Sequence, residues 1–363
     1  MTSQMTNLIN RMLNILFNRG RSQLKLDIVI ISIQFLRFLA AFFVLLFHTL
    51  GEYEWAKPFG SFGVDIFFVI SGFIIYVITD KGIDHFFKKR IIRIVPLYWL
   101  FTFGIALIAL LQPNLLNSAS WDIKHITASI FFVPYWTEGS GFFPILKLGW
   151  TLNFEMLFYL IFYLSSRITI KYRALLTSIN MIGMMLFLNL IDFYSEYSFL
   201  SFYSDTIWFE FIFGMMVGVF YNNRNFLNLN FKYSIFVVLA PLIWMASNQI
   251  FSYSTYPPFL VFGLPSCFLL IAFLGYERIF LRANNPLRKL ILWLGEMSYP
   301  LYLVHTYCIA LIRRVLFKDL EFGLLFTITV FISLFISDAL SRVYDKPLRK
   351  WLISNYVTHD KDN

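Results

Sequence analysis

Two ionisable residues interrupt the first long apolar stretch of the chain. Residues 28–50 read IVIISIQFLRFLAAFFVLLFHTL, with Arg37 well inside and His48 at the far end. As a helix rising ~1.5 Å per residue, this stretch is long enough to cross a hydrocarbon layer of ~30 Å. The two residues are about three helical turns apart and share one face, ~16 Å apart along the axis. Because an arginine facing lipid at this depth costs ~2.5 to more than 10 kcal/mol, the helix is predicted to line a polar reaction channel.

Ionisable side chains recur in later apolar stretches. Asp65 lies near the start of the second stretch, Glu155 lies in WTLNFEMLFY, and His305 lies in SYPLYLVHTY. Such groups are costly inside a membrane, so they are candidates for a functional site. Cys267 and Cys308 also fall within apolar stretches. Because they show no metal-ligand spacing, the sequence predicts neither a disulfide framework nor a metal site.

The composition sets the class of protein that must position these residues. The chain is 58% hydrophobic and only 14% charged, whereas soluble domains are about 45–50% apolar and 25% charged. The formal net charge of +9 comes from short basic clusters between apolar runs, which is typical of cytoplasmic membrane anchors rather than of nucleic-acid binding. We therefore predict an all-α polytopic membrane protein.

Apolar runs predict about ten transmembrane helices, with both termini in the cytoplasm. This orientation puts most of the 30 Lys and Arg residues on the inner side, as the positive-inside rule requires. The residues between 112 and 148 are predicted to form an outer loop with a re-entrant piece, because the apolar patch at 126–136 is too short to cross. The predicted spans are 28–50, 59–79, 96–111, 149–164, 174–191, 204–221, 233–251, 258–276, 291–312 and 322–340.

The same pattern divides the chain into three predicted parts. Residues 1–27 form a cytoplasmic segment, in which residues 5–17 are either an interfacial amphipathic helix or a frayed tail. Residues 28–344 form the membrane domain. Residues 345–363 form a cytoplasmic tail.

Six segments in order resemble the acyltransferase 3 family, whose integral membrane members O-acylate surface glycans. The resemblance runs from Ile31 to about Trp351. No soluble hydrolase-like segment follows the last span, so the stand-alone form of the family is expected. The segments are the Arg37 and His48 pair, GVDIFFVISGFII at 63–75, KRIIRIVPLYW at 89–99, WTLNFEMLFY at 150–159, SYPLYLVHTY at 298–307 and YDKPLRKW at 344–351.

The resemblance implies a reaction and its partners. An acyl group, with acetyl expected, would move from cytoplasmic acyl-CoA to a hydroxyl of an extracytoplasmic polysaccharide or glycolipid. The acyl-CoA is a donor substrate rather than a permanently bound cofactor, and no nucleic acid is involved. The expected location is a bacterial plasma membrane. Direct transfer is favoured over a covalent acyl-enzyme, because neither cysteine falls within the six segments.

Three residues are assigned to the chemistry of this reaction. His48 would take the proton of the attacking hydroxyl, since imidazole exchanges protons near neutral pH. The simpler interpretation is a histidine that anchors a helix at the interface. Asp65 would orient that imidazole, or it would pack near Arg37, because a buried carboxylate needs a cation or several donors. Glu155 is assigned to the site without a specific role.

Three arginines are assigned to the donor. Arg90 and Arg93 lie one turn apart and would bind phosphates of coenzyme A, because guanidinium groups bind phosphate oxygens in a bidentate manner. Ordinary positive-inside anchoring is the alternative. Arg37 would then contact the pantetheine arm or the thioester oxygen.

Trp150, Tyr159 and His305 are assigned to the acceptor. Trp150 fits an interfacial aromatic belt as well, and His305 could be a hydrogen-bonded packing histidine. The rival function is a transporter or flippase for a polar glycan or lipid-linked sugar. Transporters commonly contain internal repeats with broken helices in matching positions. The segments in the first five spans have no counterpart in the last five, which disfavours transport.

Overall fold

The computed structural model describes ten ranges of the chain, and the larger of its two compact units begins at Ile31. Within the described residues the secondary structure is helical, apart from turns and one isolated bridge between Thr137 and Gly141. The N-terminal helix predicted at 5–17 lies outside the described residues. The described ranges are 29–51, 59–80, 82–112, 121–138, 141–192, 199–222, 231–251, 255–282, 284–313 and 321–358.

Fourteen α-helices lie within these ranges. Five helical stretches of the described residues are long and apolar enough to span a membrane, so the chain is an all-α membrane protein. In order, the helices are α1 (Ile31–Gly51), α2 (Gly63–Ile78), α3 (Phe86–Leu111), α4 (Ile123–Ile130), α5 (Trp150–Ile168), α6 (Arg173–Asp192), α7 (Phe199–Tyr203), α8 (Trp208–Asn222), α9 (Phe231–Phe251), α10 (Leu264–Gly275), α11 (Glu277–Arg282), α12 (Asn285–Leu311), α13 (Phe322–Leu340) and α14 (Lys346–Ile353). Single π-helical turns precede α10 at Phe259–Gly263 and α14 at Ser341–Asp345.

A helix occupies each of the ten predicted spans, but two helices begin earlier than predicted. The predicted third span began at Pro96, whereas α3 begins at Phe86 and contains that proline. Membrane helices tolerate an internal proline because neighbouring groups satisfy the freed backbone. The predicted span at 291–312 begins six residues after the observed start of α12 at Asn285. This helix begins after Asn284, whose side-chain oxygen accepts a hydrogen bond from the Leu287 amide at 3.2 Å and caps the helix.

Close backbone contacts bring α1, α2 and α8 together. A Cβ atom at Gly72 of α2 would lie 2.1 Å from the Phe211 carbonyl oxygen of α8, and one at Gly214 would lie 2.0 Å from the Val69 oxygen. Small residues allow membrane helices to approach in this way. A Cβ atom at Gly60, which has φ +111°, would lie 2.2 Å from the Phe43 carbonyl oxygen of α1. The second helix is thus held between α1 and α8, while α1 also packs along α12.

Polar side chains fix the start of α1 and the start of the helix that follows it. The Glu277 carboxylate of α11 accepts hydrogen bonds from the Ile31 and Ser32 amides at 2.9 and 2.7 Å. These amides have no partner inside the helix, and a carboxylate also complements the positive end of the helix dipole. Beyond the other end, Gln249 of α9 accepts from the Gly60 amide at 2.8 Å and donates to Ser61 Oγ at 2.6 Å. The helix that carries Arg37 and His48 is therefore held in register.

Candidate active site

A cavity lies between five helices, α1, α2, α3, α5 and α12. Spaces between the helices of a bundle are common sites for small molecules. Five of the predicted site residues line it together, and four further polar side chains complete the lining. The polar lining residues are Arg37, Ser71, Arg90, Arg93, Thr151, Glu155, Tyr159, Tyr299 and Tyr302.

Three arginines lie at one end of the cavity, which we call the arginine end. Arg90 and Arg93 project from the first two turns of α3, and Arg37 projects from α1. The Arg37 guanidinium donates a hydrogen bond to Gln34 Oε1 at 3.1 Å and is attracted by the charge of Glu155. Arg37 thus faces a polar interior with partners, as expected for an arginine that cannot face lipid.

Glu155 lies in the wall between the arginine end and the rest of the cavity. Its Oε1 accepts a hydrogen bond from Ser71 Oγ of α2 at 2.9 Å and another from the Tyr159 hydroxyl one turn along α5. A carboxylate with two hydroxyl donors and a nearby guanidinium is held in one orientation. Tyr159, assigned from sequence to the acceptor, contacts this carboxylate.

Two histidines from distant parts of the sequence meet beside Tyr302, a residue of the cavity lining. His48 Nδ1 of α1 lies 3.2 Å from His305 Nε2 of α12. His305 is fully buried, whereas His48 is half-buried. The second ring nitrogen of His305, Nδ1, lies 3.0 Å from the Leu301 carbonyl oxygen, and His48 Nδ1 lies 3.0 Å from the Val44 carbonyl oxygen. We call these two residues the histidine pair.

The hydrogen bonds assign the tautomers of the histidine pair. A carbonyl oxygen can only accept, so His305 Nδ1 carries the hydrogen and His305 Nε2 carries a lone pair. His48 Nδ1 then faces two acceptors, the Val44 oxygen and His305 Nε2, and must carry a hydrogen itself. Nε2 of the neutral His48 ring is therefore the nitrogen with a lone pair, and it is the atom that can accept a proton.

Tyr302 connects the histidine pair to the cavity. It lines the cavity one turn before His305 on α12, and the two ring centroids are 6.2 Å apart. The Tyr302 hydroxyl donates to the Leu148 carbonyl oxygen at 3.0 Å and lies 2.8 Å from Thr151 Oγ1. Tyr302 is therefore a lining residue whose ring lies beside the histidine pair.

A family model described as an acyltransferase domain matches residues 30–342 of the chain. The chain belongs to the acyltransferase 3 family. It is therefore a membrane acyltransferase, with the cavity and the first five of the six sequence segments in the matched region.

Several bacterial proteins are similar to this acyltransferase. Exopolysaccharide production protein ExoZ of Rhizobium meliloti is 33% identical over 283 residues, which cover 74% of this chain and 83% of ExoZ. A Staphylococcus aureus protein named as an O-acetyltransferase is 24% identical over 87% of this chain and 56% of its own length. Peptidoglycan O-acetyltransferase OatA of Listeria monocytogenes is 31% identical over 36% of this chain and 23% of its own length. No solved structure gives a significant match.

Besides the histidine pair, two of the predicted site residues, Asp65 and Trp150, lie outside the cavity lining of the acyltransferase. The Asp65 carboxyl group, near the start of α2, hydrogen-bonds to the carboxyl group of Glu210 in α8, which is 1% exposed. A hydrogen bond between two carboxyl groups requires a proton on one of them. Trp150 packs edge-on against Phe68 and Phe154, with ring centroids 6.2 and 6.1 Å away. The roles assigned to Asp65 beside His48 and to Trp150 at the acceptor stay predictions.

Several site residues of the acyltransferase were not predicted. Ser71 lies in the GVDIFFVISGFII segment, and Tyr302 lies one turn from His305, so proximity to those residues could have indicated both. Asp345 and Arg349, predicted to lie in a cytoplasmic tail, are close enough to the arginine end for their charges to act on its arginines. Nothing in the local pattern distinguishes them from other charged residues after the last span.

Proposed function

We propose that this acyltransferase moves an acyl group, with acetyl expected, from cytoplasmic acyl-CoA to a hydroxyl of an extracytoplasmic polysaccharide or glycolipid. The observation that carries the proposal is one cavity lined by three arginines and by Tyr302, whose ring lies 6.2 Å from that of His305 in the histidine pair. Arginines suit the phosphates of the donor, and a neutral imidazole suits removal of a proton from the acceptor. The names of ExoZ and of the peptidoglycan O-acetyltransferase support a surface glycan as acceptor.

The proposed topology has ten crossings with both termini in the cytoplasm of a bacterial cell, in its plasma membrane. Helices at all ten predicted positions support the number of crossings. Basic residues at the connections that would be cytoplasmic support the orientation. In this orientation the arginine end faces the cytoplasm and the histidine pair faces the outer surface.

The donor would lie along the cavity. Arg90 and Arg93 would bind phosphates of the nucleotide, and the pantetheine arm would pass Arg37 towards Tyr302. Glu155, fixed by Ser71 and Tyr159, would hold the Arg37 side chain against the arm. The thioester would then reach the region beside the histidine pair.

The acyl group would be transferred in one displacement. His48 Nε2 takes the proton of the acceptor hydroxyl as its oxygen attacks the thioester carbonyl carbon, and the C–O bond forms while the C–S bond breaks. The leaving thiolate takes the proton back from the imidazolium, so the products are the ester and coenzyme A. His305 Nε2 accepts the Nδ1 hydrogen of His48, which stabilises the imidazolium while it exists.

Purified protein in lipid nanodiscs offers a direct test of this function. Acetyl-CoA should bind, and slow thioester hydrolysis should depend on His48. Arg90→Ala and Arg93→Ala should each raise Kd about tenfold or more, because a charge-assisted hydrogen bond contributes ~1.5–3 kcal/mol. Lys88→Ala, on the exposed side of the first turn of α3, is the control and should change Kd less than twofold. Equal affinity in all four proteins would mean that the arginines only anchor the helix.

The same preparation separates the proposal from transport. A transporter would move a polar glycan across the bilayer without consuming acyl-CoA. Glycan flux in proteoliposomes that lack acyl-CoA, with no thioester cleavage when it is added, would favour the transporter and contradict the proposed function.

A further inference from the structure

The segment that follows α13 returns to the arginine end. The π-helical turn Ser341–Asp345 leads into α14, and the Tyr344 hydroxyl donates to the Pro96 carbonyl oxygen of α3 at 3.4 Å. Arg349 of α14 forms an ion pair with Asp345, with Nη2 and Oδ2 2.9 Å apart. The Asp345 side chain is only 5% exposed and that of Arg349 is 29% exposed. The segment therefore packs on the helix that carries Arg90 and Arg93.

Arg349 adds a cation to the arginine end. Its charge acts on Arg37, and the charge of Arg93 acts on Arg349 in turn. Asp345 is a nearby anion, and the charges of Arg93 and Arg37 act on it as well. Because like charges in a poorly solvated site repel one another, several converging guanidinium groups favour an anionic ligand.

One donor atom of Arg349 is available to such a ligand. Its Nε is buried and has no hydrogen-bond acceptor among the described residues, while Nη2 is held by Asp345. A buried donor without an acceptor is unfavourable, and a phosphate oxygen would satisfy it. The Nε–H group of Arg349 is therefore the donor that the described residues leave for a phosphate oxygen.

We propose that Arg349 binds a phosphate of the coenzyme A nucleotide together with Arg90 and Arg93. This inference rests on the proposed function. The nucleotide carries a diphosphate and a separate phosphate monoester, so it offers several phosphate oxygens to guanidinium groups from two different elements, α3 and α14. The C-terminal segment is then part of the donor site.

The chain offers a matched control on the same segment. Arg342 forms an ion pair with Asp338 at 2.7 Å, with the same spacing of four residues that separates Asp345 from Arg349. The Arg342 side chain is 61% exposed. Substitution of Arg342 removes an equivalent ion pair and an equal charge from the segment after α13, but it leaves the arginine end unchanged.

The test is the Kd of acetyl-CoA in nanodiscs of phosphatidylcholine alone, which contain no anionic headgroup. Arg349→Gln should raise Kd about tenfold, which is ~1.4 kcal/mol, whereas Arg342→Gln should change it less than twofold. Asp345→Asn should leave Kd unchanged or lower it, because it removes an anion from the site. If Arg349 only paired with Asp345 structurally, both substitutions would weaken binding alike, and that result would overturn the inference.

A double variant covers the risk that Arg349→Gln leaves Asp345 buried without a partner. Asp345→Asn combined with Arg349→Gln removes both charges, and it should still bind acetyl-CoA about tenfold more weakly. Wild-type affinity in this folded double variant would overturn the inference. So would an effect of Arg349→Gln that appears only after phosphatidylglycerol is added, because the phosphate recognised would then belong to a lipid.

The α3 variants Arg90→Ala and Arg93→Ala distinguish failure of this inference from failure of the proposed function. If wild-type protein does not bind acetyl-CoA at all, the proposed function fails and this inference fails with it. If Arg90→Ala and Arg93→Ala weaken binding while Arg349→Gln behaves like Arg342→Gln, the inference alone is overturned.

Discussion

At the scale of single residues, the position of protons decides what the site can do. His48 Nδ1 carries a hydrogen and faces two acceptors, so the lone pair of the neutral ring is on Nε2. A base that is already oriented by its other nitrogen does not have to reorganise when it accepts a proton. This arrangement resembles other catalytic histidines in that a second group fixes the ring, although the second group in this protein is an imidazole rather than a carboxylate.

The first prediction concerns His48 itself. His48→Gln keeps a hydrogen-bonding side chain of similar reach but cannot take a proton. We expect acyl transfer to fall by ~10²–10⁴, with normal expression and unchanged Kd for acetyl-CoA, because the phosphates are bound at the other end of the cavity. Transfer to the glycan acceptor and donor binding should be measured on the same preparation. Substantial transfer by His48→Gln would exclude this residue as the base.

His305 is predicted to act through His48 as a positioning residue. His305→Leu removes one of the two acceptors of the His48 Nδ1 hydrogen, and we expect kcat to fall ~10–100-fold, since a hydrogen bond to a charged group contributes ~1.5–3 kcal/mol. His305→Gln keeps an acceptor oxygen and should recover much of the lost rate. Both variants should bind acetyl-CoA normally. Equal losses in the two variants, or a weaker Kd, would indicate that His305 only packs.

The sequence located these residues but not their partners. Arg37 and Glu155 were identifiable because charged side chains in apolar helices are costly and must face a common interior. Arg90 and Arg93 were assigned from the family resemblance. The pairing of His48 with His305 joins positions 257 residues apart. It depends on how α1 and α12 pack, which no local pattern encodes. The contact between Asp65 and Glu210 has the same origin.

At the scale of helices, the apolar runs predicted positions well and boundaries less well. The start of α3 was missed because its first two turns carry basic residues, which resemble a cytoplasmic connection. Those turns are helical because they line the cavity and pack against α14. Arg90 and Arg93 are about one helical turn apart and therefore share a face of α3, which directs both side chains into the cavity.

Close packing of α2 against α8 leads to a prediction about stability. Gly214→Ala would place a Cβ atom 2.0 Å from the Val69 carbonyl oxygen, so the helices must separate. We expect a loss of about 1–3 kcal/mol in unfolding free energy, the usual cost of overpacking, seen as a lower Tm in detergent. Gly183→Ala is the control, because a Cβ atom there meets nothing within 4 Å. Equal Tm values for the two variants would contradict this packing.

At the scale of the whole molecule, the proposed reaction requires that the two ends of the cavity face opposite sides of the membrane. Arg90 and Arg93 must be reachable from the cytoplasm, where acyl-CoA is made, while His48 must be reachable by an acceptor outside. The proposed ten-helix topology would satisfy both requirements. A single additional crossing between α3 and α5 would reverse every later helix, α12 with His305 included. The orientation of each half of the chain is therefore a test of the mechanism as well as of the topology.

Single cysteines at exposed connections can measure that orientation. In protein with Cys267 and Cys308 replaced, Glu138→Cys and Thr255→Cys should react in intact cells with an impermeant thiol reagent, whereas Asp84→Cys and Arg288→Cys should not. All four positions are exposed, so accessibility to the reagent depends on the side of the membrane, and all four should react after the cells are permeabilised. Labelling of Arg288→Cys, without labelling of Glu138→Cys or Thr255→Cys, would mean that the segment between α3 and α5 crosses. The histidine pair and the arginine end could not then lie as the transfer reaction requires.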